Sequence, residues 1–324
     1  LRIFGKGPMN NYSSSPFDSY QSSIHSVSVE EMVETIGNRA FSQLRYLKNI
    51  TITSDLSYIG ESAFFSSSIQ NVFINSVVSI ETSAFRRSLC QYVEIKNNLK
   101  TVKKYAFETC SNLETILFPK TLCFIDHYAF ASCNKLMNIT IPESVEVIRD
   151  RAFYQCNQMQ QFDVHSNNMN FTSFSGVLMS KDKKSIVQYP IGKNIPIYEV
   201  PDTIEEIQEY SFAFAQYIQN LTIPDSVIMI QYNAFEYCSN LLNVYFHSNV
   251  QLKIDHFAFQ YCRQLSEVFL PRGVHSIDYV PFRACENLKS IEVDLSNPKY
   301  KSINGVLFNK NEQEIVQYPA SKED

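Results

Sequence analysis

The chain has 324 residues, 44% of them hydrophobic and 19% charged, with a formal net charge of −5. That composition supplies a buried core and excludes a disordered chain, and the acid excess argues against the clustered Lys and Arg of a nucleic-acid footprint. No apolar run approaches the roughly 20 residues of a membrane-spanning helix. There are 24 Phe but no Trp, and only 8 Gly. Many regularly placed aromatics with few glycines imply many similar turns, each closed by the same packing residue.

Residues 1–36 lack periodic order. The segment LRIFGKGPMNNYSSSPFDSY concentrates Gly, Pro, Ser and Asn. It suits an N-terminal cap, which a stack of repeats needs because its end units expose apolar edges.

Residues 37–166 form a first repeat array. Phe recurs, usually after Ala, at Phe41, Phe64, Phe85, Phe107, Phe130 and Phe153. The unit AFASCNKLMNITIPESVEVIRDRAF, from Ala129 to Phe153, shows the frame. Leu136, Ile139 and Ile141 predict a turn residue and a short strand whose alternate side chains face inward. Pro142 ends that strand because it has no N–H for a ladder. Val145 and Ile148 suit a second extended stretch on the opposite wall. The Ala-Phe pair makes a tight corner with its ring in the interior. One unit cannot bury its apolar face alone, but stacked units can, each adding a strand to a parallel sheet.

Residues 167–211 interrupt the period with a β-hairpin insert and a return to the array. Residues 212–296 are a second array, with Phe212, Phe235, Phe259 and Phe282, and residues 297–324 are a C-terminal β-hairpin. Residues 153–190 align without a gap on residues 282–319 at an offset of 129, with GVL and IVQYP identical in both copies. Extended stretches flank Lys181–Lys184 and Asn309–Glu312, as a hairpin requires. The chain is therefore a duplicated array, each half ending in one hairpin.

The same offset relates FIDHYAFASC (124–133) to KIDHFAFQYC (253–262), each with a His six residues before a Cys. His127 and His256 stand in equivalent repeats several coils apart and cannot share one metal. A lone His and Cys fall short of the three or four ligands zinc takes. Six of the eight Cys (Cys110, Cys133, Cys156, Cys238, Cys262, Cys285) fill a slot that elsewhere holds Ser67, Ser88 or Ala215. That slot asks for a small buried residue, and free Cys behaves as one. No Gly-rich phosphate loop, G-x-S-x-G or H-E-x-x-H occurs, and Glu205-Glu206 reads as solvated surface. No catalytic, cofactor or metal residue is assigned.

The frame C-x-x-L-x-x-I-x-I-P, then V-x-x-I, then A-F resembles the BspA-like, or Treponema pallidum type, leucine-rich repeats. Cys133, Leu136, Ile139, Ile141, Pro142, Val145, Ile148, Ala152 and Phe153 carry the match. It covers essentially the whole chain. Departures are Ser67, Ser88 and Ala215 in the Cys slot and Pro281 in place of Ala. The resemblance implies an α/β, mostly β, leucine-rich-repeat solenoid with a parallel sheet on one face, an N-terminal cap and two hairpin inserts. It further implies a microbial or protist surface protein that adheres to host matrix or other cells, and no enzyme.

On each strand the residue between the inward aliphatics faces solvent. In chain order these are Thr51, Phe73, Glu94, Leu117, Thr140, Asp163, Thr222, Tyr245, Phe269 and Glu292. Phe73, Leu117, Tyr245 and Phe269 are the ones that call for a partner; Tyr245 and Phe269, on adjacent coils, are expected to form one exposed aromatic patch with Asn243 and Glu267 beside it. A parallel lane of Asn49, Asn71, Asn138, Asn220 and Asn243 suits a structural amide ladder. Five N-x-[ST] sequons, at Asn11, Asn49, Asn138, Asn170 and Asn220, are close to the about four that composition gives by chance. The expected function is a protein-binding module, a cell-surface or secreted adhesin whose ligand is a host extracellular-matrix or cell-surface protein. An intracellular, cytoplasmic scaffold is the alternative. Neither reading involves a cofactor or nucleic acid, and oligomeric state stays open.

Overall fold

The computed structural model describes residues 1–247 and 249–322. Ser248, within the second array, and Glu323 and Asp324, at the end of the C-terminal hairpin segment, lie outside them. The chain divides into two compact units, Leu1–Ser173 and Phe174–Asp324. Each is a β-solenoid of stacked parallel strands. The mostly β expectation holds, and the helical part of the α/β label reduces to one 3-10 segment, Asp18–Ser23, among the described residues.

In the first unit one wall is a ladder of longer strands. Ser26–Val29, Asn49–Ile59, Asn71–Ile80, Tyr92–Asn97 and Thr115–Leu117 pair in parallel register, Ser26↔Asn49↔Asn71↔Tyr92↔Thr115. Asn138–Ile141 pairs with Gln161–Val164 in the same manner. Alternation buries every second side chain, as in Asn138–Ile141. The opposite wall is a ladder of two-residue strands and strand ends, Ile36↔Ile59↔Ile80↔Val102↔Ile125↔Ile148. Where Pro follows the inward aliphatic the first wall stops short, at Leu117 before Pro119 and at Ile141 before Pro142. Where Thr53 and Asn75 replace it, a single strand of 11 or 10 residues runs through both walls.

The second unit repeats the plan. Val177–Ser180 and Ser185–Gln188 form the antiparallel hairpin expected around Lys181–Lys184. The hairpin's second strand starts the short wall, Ile186↔Ile207↔Ile230↔Ile254↔Ile277. The long wall comprises Ile197–Glu199, Asn220–Ile223 and Asn243–Phe246, and the pair Glu267–Leu270 with Ser290–Val293. Tyr300–Ile303, Val306–Asn309 and Ile315–Gln317 close the unit as an antiparallel meander. Its first turn uses Gly305 at φ +80°, where a Cβ would meet the Ser290 Cβ at 2.9 Å. Gly176 holds the same place in the first copy, at φ +78°.

The corner between the walls is a third ladder. All ten repeat Phe side chains are fully buried. Their rings stack at 4.9–5.5 Å from Phe41 through Phe153 and at 4.8–5.4 Å from Phe212 through Phe282. These separations match the strand spacing of a parallel sheet. Two further rings join the stacks. Phe17, inside the segment read as cap, stacks on Phe41 at 5.4 Å, and Tyr189 of IVQYP stacks on Phe212 at 4.8 Å. Residues 26–36, also read as cap, already run as a coil paired with Asn49–Ile59. They carry the S-V-S-V and V-x-x-I pattern without an Ala-Phe corner before it.

Backbone geometry explains how so few glycines suffice. The residues two before and two after each repeat Phe are left-handed, from Arg39 and Gln43 to Val280 and Ala284. The alternation aims N–H groups along the stack. Phe107 N–H donates to the Ala129 carbonyl at 2.8 Å, and Thr109 N–H to the Ala131 carbonyl at 2.7 Å. Left-handed backbone in ordinary residues costs about 1–3 kcal/mol each. The inter-coil hydrogen bonds and ring packing hold it in place.

The candidate protein-binding face

Strand register brings the solvent-facing lane together within each unit. In the first, Ser28, Thr51, Phe73, Glu94 and Leu117 are successive register partners. In the second, Glu199, Thr222 and Tyr245 are, and Phe269 partners Glu292. Phe73, Leu117, Tyr245 and Phe269 are all exposed; Tyr245 is 51% and Phe269 52% accessible, far beyond what a core aromatic shows. Asn243 and Glu267 are exposed beside them. Among the described residues no ladder joins Asn243–Phe246 to Glu267–Leu270, and no ring contact joins Tyr245 to Phe269. The two aromatics stand at the same position of neighbouring strands that contact each other.

Two surface residues escaped the reading of the lane. Tyr92 lies 5.7 Å from Phe73, ring centroid to centroid, and widens that aromatic spot. Ile197 is exposed at the head of the Asn lane, paired with Asn220. Both occupy the first strand position, which holds Asn49, Asn71, Asn138, Asn220 and Asn243 in other coils and a polar residue in the rest, and an apolar or aromatic residue there was the available signal.

The Asn lane is an amide ladder at two steps. Asn71 Nδ2 donates to Asn49 Oδ1 at 3.0 Å, and Asn243 Nδ2 to Asn220 Oδ1 at 2.8 Å. Asn138 instead partners Gln161 in register.

The Cys slot is interior. Cys110, Cys133, Cys156, Cys238, Cys262 and Cys285 are buried free thiols. Each donates its S–H to the Phe carbonyl of the preceding coil, as Cys133 does to Phe107 at 3.2 Å. Burial pushes the Cys156 thiol up to about 12 and those of Cys110, Cys133 and Cys262 well above the ordinary value.

The two equivalent His differ in their partners. His127 Nδ1 lies 2.7 Å from Asp150 Oδ1. His256 Nδ1 lies 2.7 Å from Asp255 Oδ1 and 3.5 Å from Asp278 Oδ2. One ligand atom from each of Asp255, His256 and Asp278 falls within 4.8 Å of the others, so the trio has the span of a metal site. Lys253 already supplies a cation to both carboxylates, at 2.8 Å from Asp278 and 3.8 Å from Asp255.

The family model for the BspA type leucine rich repeat region matches residues 11–122, 78–181 and 191–314. The chain belongs to the BspA-type leucine-rich repeat family. It is similar to the crystal structure of the pneumococcal vaccine antigen PcpA, at 25% identity and a TM-score of 0.78 over 90% of this chain and 75% of that one. It is also similar to a leucine rich cell surface protein from Faecalibacterium prausnitzii, at 24% identity and a TM-score of 0.71 over 90% and 77% of the two chains. A leucine-rich repeat protein from Eubacterium ventriosum follows, at 19% identity and a TM-score of 0.61 over 90% and 79%. The last two likenesses establish the fold. No curated protein matches the chain. As a BspA-type repeat protein it offers regular strand-faced surface, the material of protein binding. No helix among the described residues is long and apolar enough to cross a membrane.

Proposed function

We propose that this BspA-type repeat protein is a non-enzymatic adhesin. It acts at the cell surface or in secreted form, and it binds a host matrix or cell-surface protein through the strand face. The observation that carries the reading is the pair Tyr245 and Phe269, half exposed on a regular sheet face where polar residues would serve folding equally well. Phe73 and Leu117 stand at the same strand position in the first unit. Acidic groups flank Phe269. Glu292 is the register partner of Phe269, and Glu267 lies two residues before it on the same strand. A partner with apolar pockets set among Lys and Arg fits that chemistry.

The test is binding of purified chain to immobilised fibronectin, laminin and collagen, compared with the double variant Tyr245→Ala/Phe269→Ala. Both side chains are exposed, so circular dichroism should be unchanged. Loss of at least tenfold in affinity supports the patch, and unchanged binding removes it. Antibody labelling of intact source cells tests location. Signal only after permeabilisation would replace the adhesin with an intracellular scaffold on the same fold.

A further inference from the structure

The corner position two residues before the repeat Phe is filled differently along the first unit. In the coils of Phe107 and Phe130 it holds Tyr105 and Tyr128, whose rings lie 5.3 Å apart. In the coils of Phe64 and Phe85 it holds Ser62 and Ser83. The backbone is the same, with φ of +60° and +56° at the two Tyr and +55° and +58° at the two Ser. The coils stay in step, with repeat rings 4.9, 5.0 and 5.3 Å apart from Phe64 to Phe130. Small side chains in place of rings leave a cleft of about 390 Å³ there, within the roughly 300–1,000 Å³ of small-molecule sites. Its lining is polar and short of partners. Ser42 and Ser83 are only 7% and 8% exposed. Their hydroxyls, and that of Ser62, have no hydrogen-bond partner among the described residues, and none of the three is sealed from the cleft. Buried hydroxyls are ordinarily paired. Two guanidiniums complete the donor set. Arg86 is held by the Glu108 carboxylate and lies over the Tyr105 ring at 5.2 Å. Arg39 Nη1 donates to the Ser13 carbonyl at 3.4 Å and has no carboxylate partner among the described residues, so most of its fork is open. The exposed Glu61 and the half-buried Phe65 ring form the rest of the wall.

We propose that this cleft binds a sugar acid, a pyranose ring carrying a carboxylate. The carboxylate lies against Arg39, whose planar fork can meet both oxygens. The serine hydroxyls, which donate and accept, exchange hydrogen bonds with the sugar hydroxyls. The apolar face of the sugar ring rests on Phe65. Glu61 sets the class. It accepts from sugar hydroxyls, but it repels an anion such as sulfate that has no proton to give. A neutral sugar, in turn, leaves the Arg39 charge without its counterpart. The cleft lies on the corner, apart from the strand-face lane, and the proposal stands independently of the protein-binding reading.

Ligand-observed NMR titration of the full chain with glucuronate, N-acetylneuraminate, glucose and sulfate is the test. At least one of the two sugar acids is expected to bind at least tenfold more tightly than glucose or sulfate. Preference for glucuronate would support the proposal with a uronic-acid polysaccharide as the source, and preference for N-acetylneuraminate would support it with a sialylated glycan end. Arg39→Gln, at an exposed position, should weaken binding at least tenfold. Ser83→Tyr copies the neighbouring Tyr105 coil on the same backbone, and it should fill the cleft and abolish binding with circular dichroism unchanged. No binding by either sugar acid, binding of glucose or sulfate as tight as theirs, or unchanged binding in Arg39→Gln overturns the proposal. So does full binding in a folded Ser83→Tyr chain.

Discussion

At the scale of the residue, one polar side chain does the same work in both copies. Asn297 is fully buried. Its Nδ2 donates to the Pro271 and Val274 carbonyls at 2.9 and 3.0 Å, and its Oδ1 accepts from Lys299 and Tyr300 N–H at 2.8 and 2.9 Å. Asn168, 129 positions earlier, donates to the Pro142 and Val145 carbonyls and accepts from Asn170 and Phe171 N–H. Only an amide offers two donors and an acceptor in this geometry. Asn297→Ala strands buried backbone groups, each at about 1–3 kcal/mol when unpaired. The expected loss is roughly 2–4 kcal/mol, read as a lower urea midpoint. Asn297→Asp keeps the acceptor, loses both donors and should not rescue. A midpoint unchanged in Asn297→Ala would show that water replaces the clamp. The Asn is visible in the 129-residue alignment, but within HSNNMN and LSNPKY it reads as one more loop residue.

At the scale of the element, the repeat frame was legible because its apolar residues obey fixed spacings that any reader can count. Phe107, Leu113 and Ile116 recur as Phe130, Leu136 and Ile139, and all are buried. The lane was legible for the same reason, since strands alternate faces. Tyr189 and Phe17 were missed as ring-stack members because the first is not a Phe and the second follows no Ala. The left-handed corners were missed because the usual marker, Gly, is absent from them. Tyr105, Thr109, Arg151 and Phe214 adopt that backbone because neighbouring coils hold them there. Val280 is the costliest case. It is β-branched, at φ +35°, and its coil also loses an N–H at Pro281, which equivalent coils keep as Ala258 N–H to the Asp255 carbonyl. Val280→Asn relieves the left-handed strain and should raise stability by about 1 kcal/mol, seen as a higher melting temperature. A lower one would mean that the Val side chain packs for more than the strain it carries.

At the scale of the whole molecule, repetition multiplies small effects. A slot filled once is a local detail, but the same thiol slot occurs in both units and its titration adds up. The buried thiols of Cys110, Cys133 and Cys156 in the first unit and Cys262 in the second hold their protons above the ordinary value of 9.0. Burial acts in the same direction on the Tyr189 and Tyr198 phenols. For each such acid the folded chain binds the proton more tightly than the unfolded chain, so stability falls as pH rises. The contribution is full below pH about 9 and is lost progressively as pH climbs toward about 12, the value for Cys156. Melting temperature in reducing buffer should be flat, as far as these groups govern it, from pH 7 to 8.5 and drop steadily from 9 to 11. Cys156→Ala should blunt the drop without unfolding the coil, because Ala215 already fills that slot, fully buried, elsewhere in the chain. A melting temperature that stays level to pH 11, or a drop as steep in the variant, would mean that these thiols are not what ties stability to pH.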